Sequence, residues 1–215
     1  MILKIEQIKK DLFSANFQIT HFNEVVGAIQ VLGKLGSMEV NVEIQFYQNT
    51  YKMQYVGGLI KTAPIPDKKG KAYRPYGIMG KNGEVLGKVA QIDQKDGWFT
   101  VISFFEMLYG EEKYNLYPIG FGKEGGKHPI YRENQQIAQI EKSGEIYNDL
   151  HHYDIYAKDQ YSAEIAVLFG AYMYINANFK PGEKATKSYV KYTSVTTNKT
   201  LKEKYNPDFV KMIQP

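Results

Sequence analysis

The chain has 215 residues, 43% of them hydrophobic, enough to bury a core without staples, and its eighteen tyrosines and eleven phenylalanines favour half-buried strands. It contains no cysteine, which excludes a disulfide scaffold, a thiolate metal site and a cysteine nucleophile. The net charge of +4 is unevenly placed: from Lys180 onward eight lysines meet only Glu183, Glu203 and Asp208, so the last 36 residues carry +5 and the rest −1.

The opening MILKIEQIKKDLF holds Lys4 and Glu6 inside its apolar stretch and has no small-residue cleavage site, so it does not read as a signal peptide. No run approaches the roughly 18 apolar residues of a spanning helix. A soluble, cytoplasmic protein is expected. Strand-like alternation follows over 2–8, 16–22 and 25–32. NVEIQFYQ (41–48) sets Val42, Ile44 and Phe46 on one face; YKMQYV (51–56) alternates likewise, and the intervening Asn49-Thr50 reads as a tight hairpin.

KTAPIPDKKGKAYRP (61–75), with three of the eight prolines, reads as a loop carrying Lys68, Lys69 and Lys71. Strands are then predicted over 73–79, 84–92 and 98–104, the last starting at the single Trp98, which is expected in the core. Glu106, Glu111 and Glu112 show no pairing suited to acid–base work. Further strands are predicted over 113–119, 127–132 and 135–142. Between the first two, GFGKEGGK (120–127) lacks the spacing of a phosphate loop and reads as a long hairpin turn.

NDLHHYD (148–154) is the most enzyme-like stretch: His151, His152, Asp149 and Asp154 are metal-ligand and acid–base residue types. It leads into a strand over 151–157, where neighbouring side chains point to opposite faces, so the two imidazoles would not share an ion. His151, His152 and Asp154 are therefore weak metal candidates. IAVLFGAYMYI (165–175) has no polar stripe; a helix over about 162–178, capped by Asp159 or Ser162, must be buried all round. Eleven residues rise about 16 Å, roughly half a bilayer core, so lipid is a poor home. Gly170 and Ala171 would let a wall approach closely, and Tyr172 and Tyr174 would need hydrogen-bond partners. After it, one strand is predicted within 187–196 and a short terminal helix within 206–213, docking Phe209, Val210 and Ile213.

NEVVGAI (23–29) matches GEVLGKV (83–89) at an offset of 60, and QQIAQI (135–140) is a weaker third copy with Ala138 at the small-residue position. Each copy reads strand, polar turn, then a strand with a small residue where chains approach closely. About a dozen short strands, an internal repeat and one helix apolar all round point to a mainly β fold. It is a closed antiparallel barrel of about twelve strands wrapped around the C-terminal helix. Residues 1–179 form this barrel domain and 180–215 a basic extension.

The repeated Y-x-I…NGEVLGKV, the following IYRENQQIAQIEKS and the closing HHYDIYAKDQYSAEIAVLFGAYMYI resemble the Tubby C-terminal-like superfamily, most closely its LURP-one-related and phospholipid-scramblase-like branches. The resemblance spans roughly residues 17–178. It implies a twelve-stranded barrel around a hydrophobic C-terminal helix, in a family that includes phosphoinositide-binding regulators and proteins implicated in moving lipids between leaflets. The chain departs from that pattern in having no D-x-[DN]-x-[DN]-G calcium loop, no membrane-anchoring cysteine and a long segment after the helix.

The expectation is a non-enzymatic binding protein without a cofactor, meeting anionic phospholipid or a protein partner through Lys68, Lys69, Lys71, Lys184, Lys187 and Lys191. The alternatives are an assembly protein that uses its tail on a second copy, and a metal-dependent enzyme built on His151 and His152. Nucleic acid is a poor match, because arginine is limited to Arg74 and Arg132 even though Tyr189, Tyr192 and Tyr205 interleave with the tail lysines.

Overall fold

The alternation becomes a continuous ladder. In a computed structural model that describes residues 1–34, 40–56, 70–97, 100–191 and 193–213, β1 (Ile2–Lys10), β2 (Ser14–His21), β3 (Glu24–Gly33), β4 (Val40–Phe46) and β5 (Asn49–Tyr55) form a meander. It continues through β6 (Gly70–Met79), β7 (Val85–Lys95), β8 (Val101–Tyr109) and β9 (Glu112–Leu116). The two-residue β10 (Ile119–Gly120) and a 3₁₀ turn at Gly122–Glu124 lead into β11 (Gly126–Arg132), β12 (Gln135–Lys142), β13 (Glu145–Tyr147) and β14 (His152–Ala157). Helix α1 (Gln160–Ala177) follows, then β15 (Tyr189–Lys191), α2 (Lys199–Lys202) and α3 (Phe209–Ile213). β1 pairs with β14 and β9 with β11, so twelve antiparallel strands close into a barrel.

The repeat has a structural counterpart. Ile19 pairs with Gly27, Ile78 with Gly87 and Ile130 with Ala138, and each pairing sits beside a register shift that leaves Val26, Leu86 or Ile137 as the extra residue of a β-bulge. The carbonyls of those bulged residues accept from Tyr47 N (2.7 Å), Gly110 N (2.8 Å) and Lys158 N (3.1 Å). The barrel is thus three four-stranded units: β2–β5, β6–β9, and β11, β12 and β14 with β1. In the third unit the chain leaves for the helix after β14, and the N-terminal strand takes the fourth place. Met1 holds it there, donating to Ala157 O at 2.7 Å.

α1 fills the ring. Every residue from Ser162 to Ile175 is buried, because strands surround the helix and no face of it meets water. Asp159 is its N-cap, with Oδ1 accepting from Ser162 N at 2.7 Å. The two helix tyrosines find partners in the wall: Tyr172 OH accepts from Gln91 N (2.8 Å) and donates to Arg74 O (2.9 Å), and Tyr174 OH accepts from Gln7 Nε2 (3.0 Å). At Gly170, where a side chain would begin, Ile5 Cδ1 lies 3.4 Å away.

Three boundaries differ from the sequence expectation. The β4–β5 turn is Tyr47-Gln48, not Asn49-Thr50; Asn49 already pairs with Phe46, and Tyr47 has the positive φ (49°) that a tight turn needs. β6 starts at Gly70, inside the proline-rich segment expected to be loop, and Lys71 pairs in register with Asp93. β8 runs over Val101–Tyr109 rather than 98–104, and Trp98 lies outside the described residues.

The segment after the helix returns to the barrel wall. β15 pairs with β13. Leu201 on α2 packs with Ala90, Ile92, Ile102 and Phe104, forming a second apolar cluster on the outer face of β7 and β8. α3 lies against β12 and β14, with Phe209 1% exposed.

Candidate functional site

The two ends of the barrel are built differently. The end where α1 begins is closed by tight hairpins and by a satisfied buried carboxylate. Glu164 accepts from Asn49 Nδ2 and Tyr109 OH, both at 3.0 Å. The end where α1 finishes gathers cations, where a helix C-terminus favours positive charge. Arg74 donates to Asn176 O at 2.8 Å and Lys142 Nζ to Asn178 Oδ1 at 3.0 Å.

At this second end the segment after α1 is tied to the β1–β2 connection, where Gly182 N donates to Leu12 O at 2.7 Å. Lys187 lines a shallow depression together with Ile8, Lys9 and Lys10. Lys184 and Lys187 are exposed and make no ion pair with any described residue. Beside them Ile8 (60% exposed), Leu12 and Phe13 leave apolar surface open to solvent.

The six lysines singled out from the sequence do not share one fate. Lys191 pairs with Glu145 at 3.0 Å, which removes it from the group facing solvent unopposed. Lys71 belongs to strand β6 rather than to a loop. Lys68 and Lys69 lie outside the described residues.

The histidine cluster separates as strand geometry requires. His152 and Asp154 are exposed on the outer face, whereas His151 is 2% exposed and points inward. His151 belongs to the plug of the barrel end: its backbone N donates to Gln7 Oε1 at 3.1 Å, and its ring packs edge-on against Tyr174. Burial, with a smaller push from Lys142, Lys10 and His152, lowers its pKa to about 3. The Asp149 carboxylate, 3.7 Å from Nε2, would act in the opposite sense, but it is already paired with the Lys10 ammonium. Among the described residues no group of three His, Cys, Asp or Glu is arranged to hold a metal.

Two cavities open at this end. One, of about 300 Å³, is lined by Tyr55, Tyr76 and Phe179 with Arg74 and Lys180. The other, of about 230 Å³, lies between the glycine-rich turn, the end of β12 and residues 194–196 of the tail. It is lined by His128, Lys142, Ser143 and Thr196 among glycines. His128 shares the inward face of β11 with Ile130, is 8% exposed, and has no hydrogen-bond partner at either ring nitrogen. Burial, then the Lys142 charge, lowers its pKa to about 3; burial alone lowers that of Lys142 to about 8.

Sequence reasoning assigned no role to Lys142 and took His128 only as a histidine that could join His151 and His152 through the fold. The available signal was parity: two-residue spacing sets His128 beside Ile130 and Lys142 beside Ile140, on faces whose other members are core. The glycine-rich stretch is a turn, as expected, and it also forms a wall of the cavity.

Comparisons of the chain with family models, with curated proteins and with solved structures found no match. No helix among the described residues is long and apolar enough to cross a membrane.

Proposed function

We propose that the chain is a non-enzymatic, cytoplasmic binding protein that meets anionic phospholipid surfaces with the barrel end at which α1 finishes. The observation that carries this reading is exposed Ile8 beside Lys187 on one rim, with exposed Leu12 and Phe13 on the adjoining β1–β2 connection. The architecture also supports kinship with the Tubby C-terminal-like superfamily, because that resemblance implies twelve strands around a hydrophobic C-terminal helix.

Magnitudes explain why both components are needed. A lysine near an anionic leaflet is worth about 1 kcal/mol, so Lys184 and Lys187 alone would hold the protein weakly. Sinking Ile8 into the headgroup boundary adds about 1.5–3 kcal/mol if its burial is complete. Assembly through the tail has less support, since Leu201 and Phe209 are already buried against their own barrel.

Co-sedimentation with phosphatidylcholine vesicles, with and without phosphatidylserine, tests the reading. Binding is expected only to the anionic vesicles, weakened by added salt and by the pair Lys184→Glu and Lys187→Glu. Equal binding to both vesicle types, or none to either, overturns it.

A further inference from the structure

The tail buries Leu201 and Phe209 on its own barrel, but its first strand keeps one edge free. β15 pairs with β13 through Tyr147↔Tyr189, Ile146↔Val190 and Glu145↔Lys191. Hydrogen-bonded and non-hydrogen-bonded pairs alternate along an antiparallel ladder. Asn148 N donates to Ser188 O at 3.0 Å, so the next hydrogen-bonded pair is Ile146 with Val190. Tyr189 and Lys191 therefore turn their backbone N–H and C=O away from β13. Two neighbours agree with this parity. Tyr147 O accepts from Leu150 N at 2.9 Å and Glu145 N donates to Ser143 Oγ at 3.0 Å, both away from β15. On its outward side β15 makes no backbone hydrogen bond to any described residue, and every described residue from Gly182 to Val195 is exposed.

An open edge of this kind is a template for another strand, and its side chains decide which strand fits. Val190 lies opposite buried Ile146, whereas Tyr189 and Lys191 stand on the other, solvent face. There the Tyr189 ring lies 4.9 Å from that of Tyr147, and Lys191 Nζ is 3.0 Å from Glu145. A second copy of β15, related by a two-fold axis, can meet the outward groups in three neighbouring registers. Centred on Tyr189, the pairing sets Lys187 opposite Lys191. Centred on Lys191, it sets the two Lys191 opposite each other. Like charges directly opposite are destabilising in both cases. Centred on Val190, each Lys191 faces the Tyr189 ring of the other copy while its own Glu145 lies on the other side, so that no lysine opposes a lysine.

We propose that β15 is a self-association edge, and that two copies of the chain join antiparallel at Val190 into a four-stranded sheet ordered β13–β15–β15–β13. Tyr189 and Lys191 of each copy then exchange backbone hydrogen bonds with Lys191 and Tyr189 of the other. Three residues a side make a small interface beside the roughly 1,200–2,000 Å² of a stable complex, so the association is weak and concentration-dependent.

Sedimentation equilibrium of the unmodified chain and disulfide trapping test this together. In the proposed register the two Val190 form a non-hydrogen-bonded pair with Cα atoms about 4.5 Å apart, within reach of a disulfide. The chain has no cysteine of its own, so Val190→Cys carries a single thiol. Under mild oxidation it is expected to give a covalent dimer that a reductant reverses. Ser188→Cys, whose two copies would stand about 14 Å apart along the strands, is expected to stay monomeric. The average mass of the unmodified chain is expected to rise with concentration. Tyr189→Pro, which removes one outward N–H per copy and leaves the bonds of Val190 to β13, is expected to weaken that association at least tenfold. A folded Val190→Cys that does not couple overturns the proposal, as does equal coupling of Ser188→Cys or an association that Tyr189→Pro leaves unchanged. A monomer mass at every concentration overturns it without any variant. Vesicle binding is a separate readout, so failure of one proposal leaves the other intact.

Discussion

His128 and His151 are inward-facing imidazoles whose pKa values burial lowers from 6.5 to about 3. Between these limits the unfolded chain takes up protons that the native barrel refuses, so native stability falls as pH drops below about 6.5. Each histidine contributes a slope of about 1.4 kcal/mol per pH unit. Carboxylates begin to titrate lower, which makes pH 6.5 to 5 the clean window. Urea unfolding across it should show the slope of two histidines in the native chain, and about half of it in His128→Leu. The slope, not the absolute stability, carries the prediction, so the packing cost of the substitution does not obscure it. Lys142 works in the alkaline range: its pKa, lowered by burial to about 8, adds stability as pH rises from there towards 10.5.

At the scale of the element, the three bulged hairpins use the same device at unequal tolerance. A Cβ at Gly87 would lie 2.2 Å from Leu108 O, and one at Gly27 the same distance from Gln45 O; both obstacles are backbone and cannot swing aside. In the third unit the corresponding hydrogen bond is longer, 3.1 Å against 2.7 and 2.8 Å, and the position is Ala138, fully buried opposite Ala157. Gly87→Ala should therefore lose at least the roughly 1–3 kcal/mol typical of overpacking, whereas Ala138→Gly should lose no more than about 1 kcal/mol. Chemical denaturation of the two variants compares them directly; equal losses would contradict the close-approach argument. The repeat was visible as Val-Val-Gly and Val-Leu-Gly, but why those positions must be small came only with the partner strand.

Across the whole molecule, the tail acts as part of the barrel's outer wall. Leu201 covers Ala90, Ile92, Ile102 and Phe104, and Asn198 Nδ2 anchors the approach by donating to Asp96 Oδ2 at 2.9 Å. Phe209 is buried, and Tyr131 OH donates to Lys204 O at 2.8 Å. Burying a Leu or Phe side chain is worth about 1.5–3 kcal/mol before the entropy of ordering the segment is subtracted. Removing residues 198–215 should lower the melting temperature and raise the binding of a hydrophobic dye. An unchanged melting curve and dye signal would show that these contacts contribute nothing net.

Barrel and helix were legible in the linear chain because both follow from periodicity. Alternation at two residues, a repeat at 60 and an apolar run without a polar stripe each constrain local structure before any contact forms. That a helix apolar all round needs a surrounding wall is a solvation argument and requires no coordinates. The set of lysines was not legible in the same way. Charge has no period, so only folding showed that Lys191 meets Glu145, that Lys71 lies on a strand, and that Lys187 stands beside exposed Ile8. The cavity belongs wholly to the tertiary structure. His128, Lys142 and Thr196 come from β11, β12 and the tail, and they line one cavity only because strand pairing and the docking of the tail bring together residues far apart in the chain.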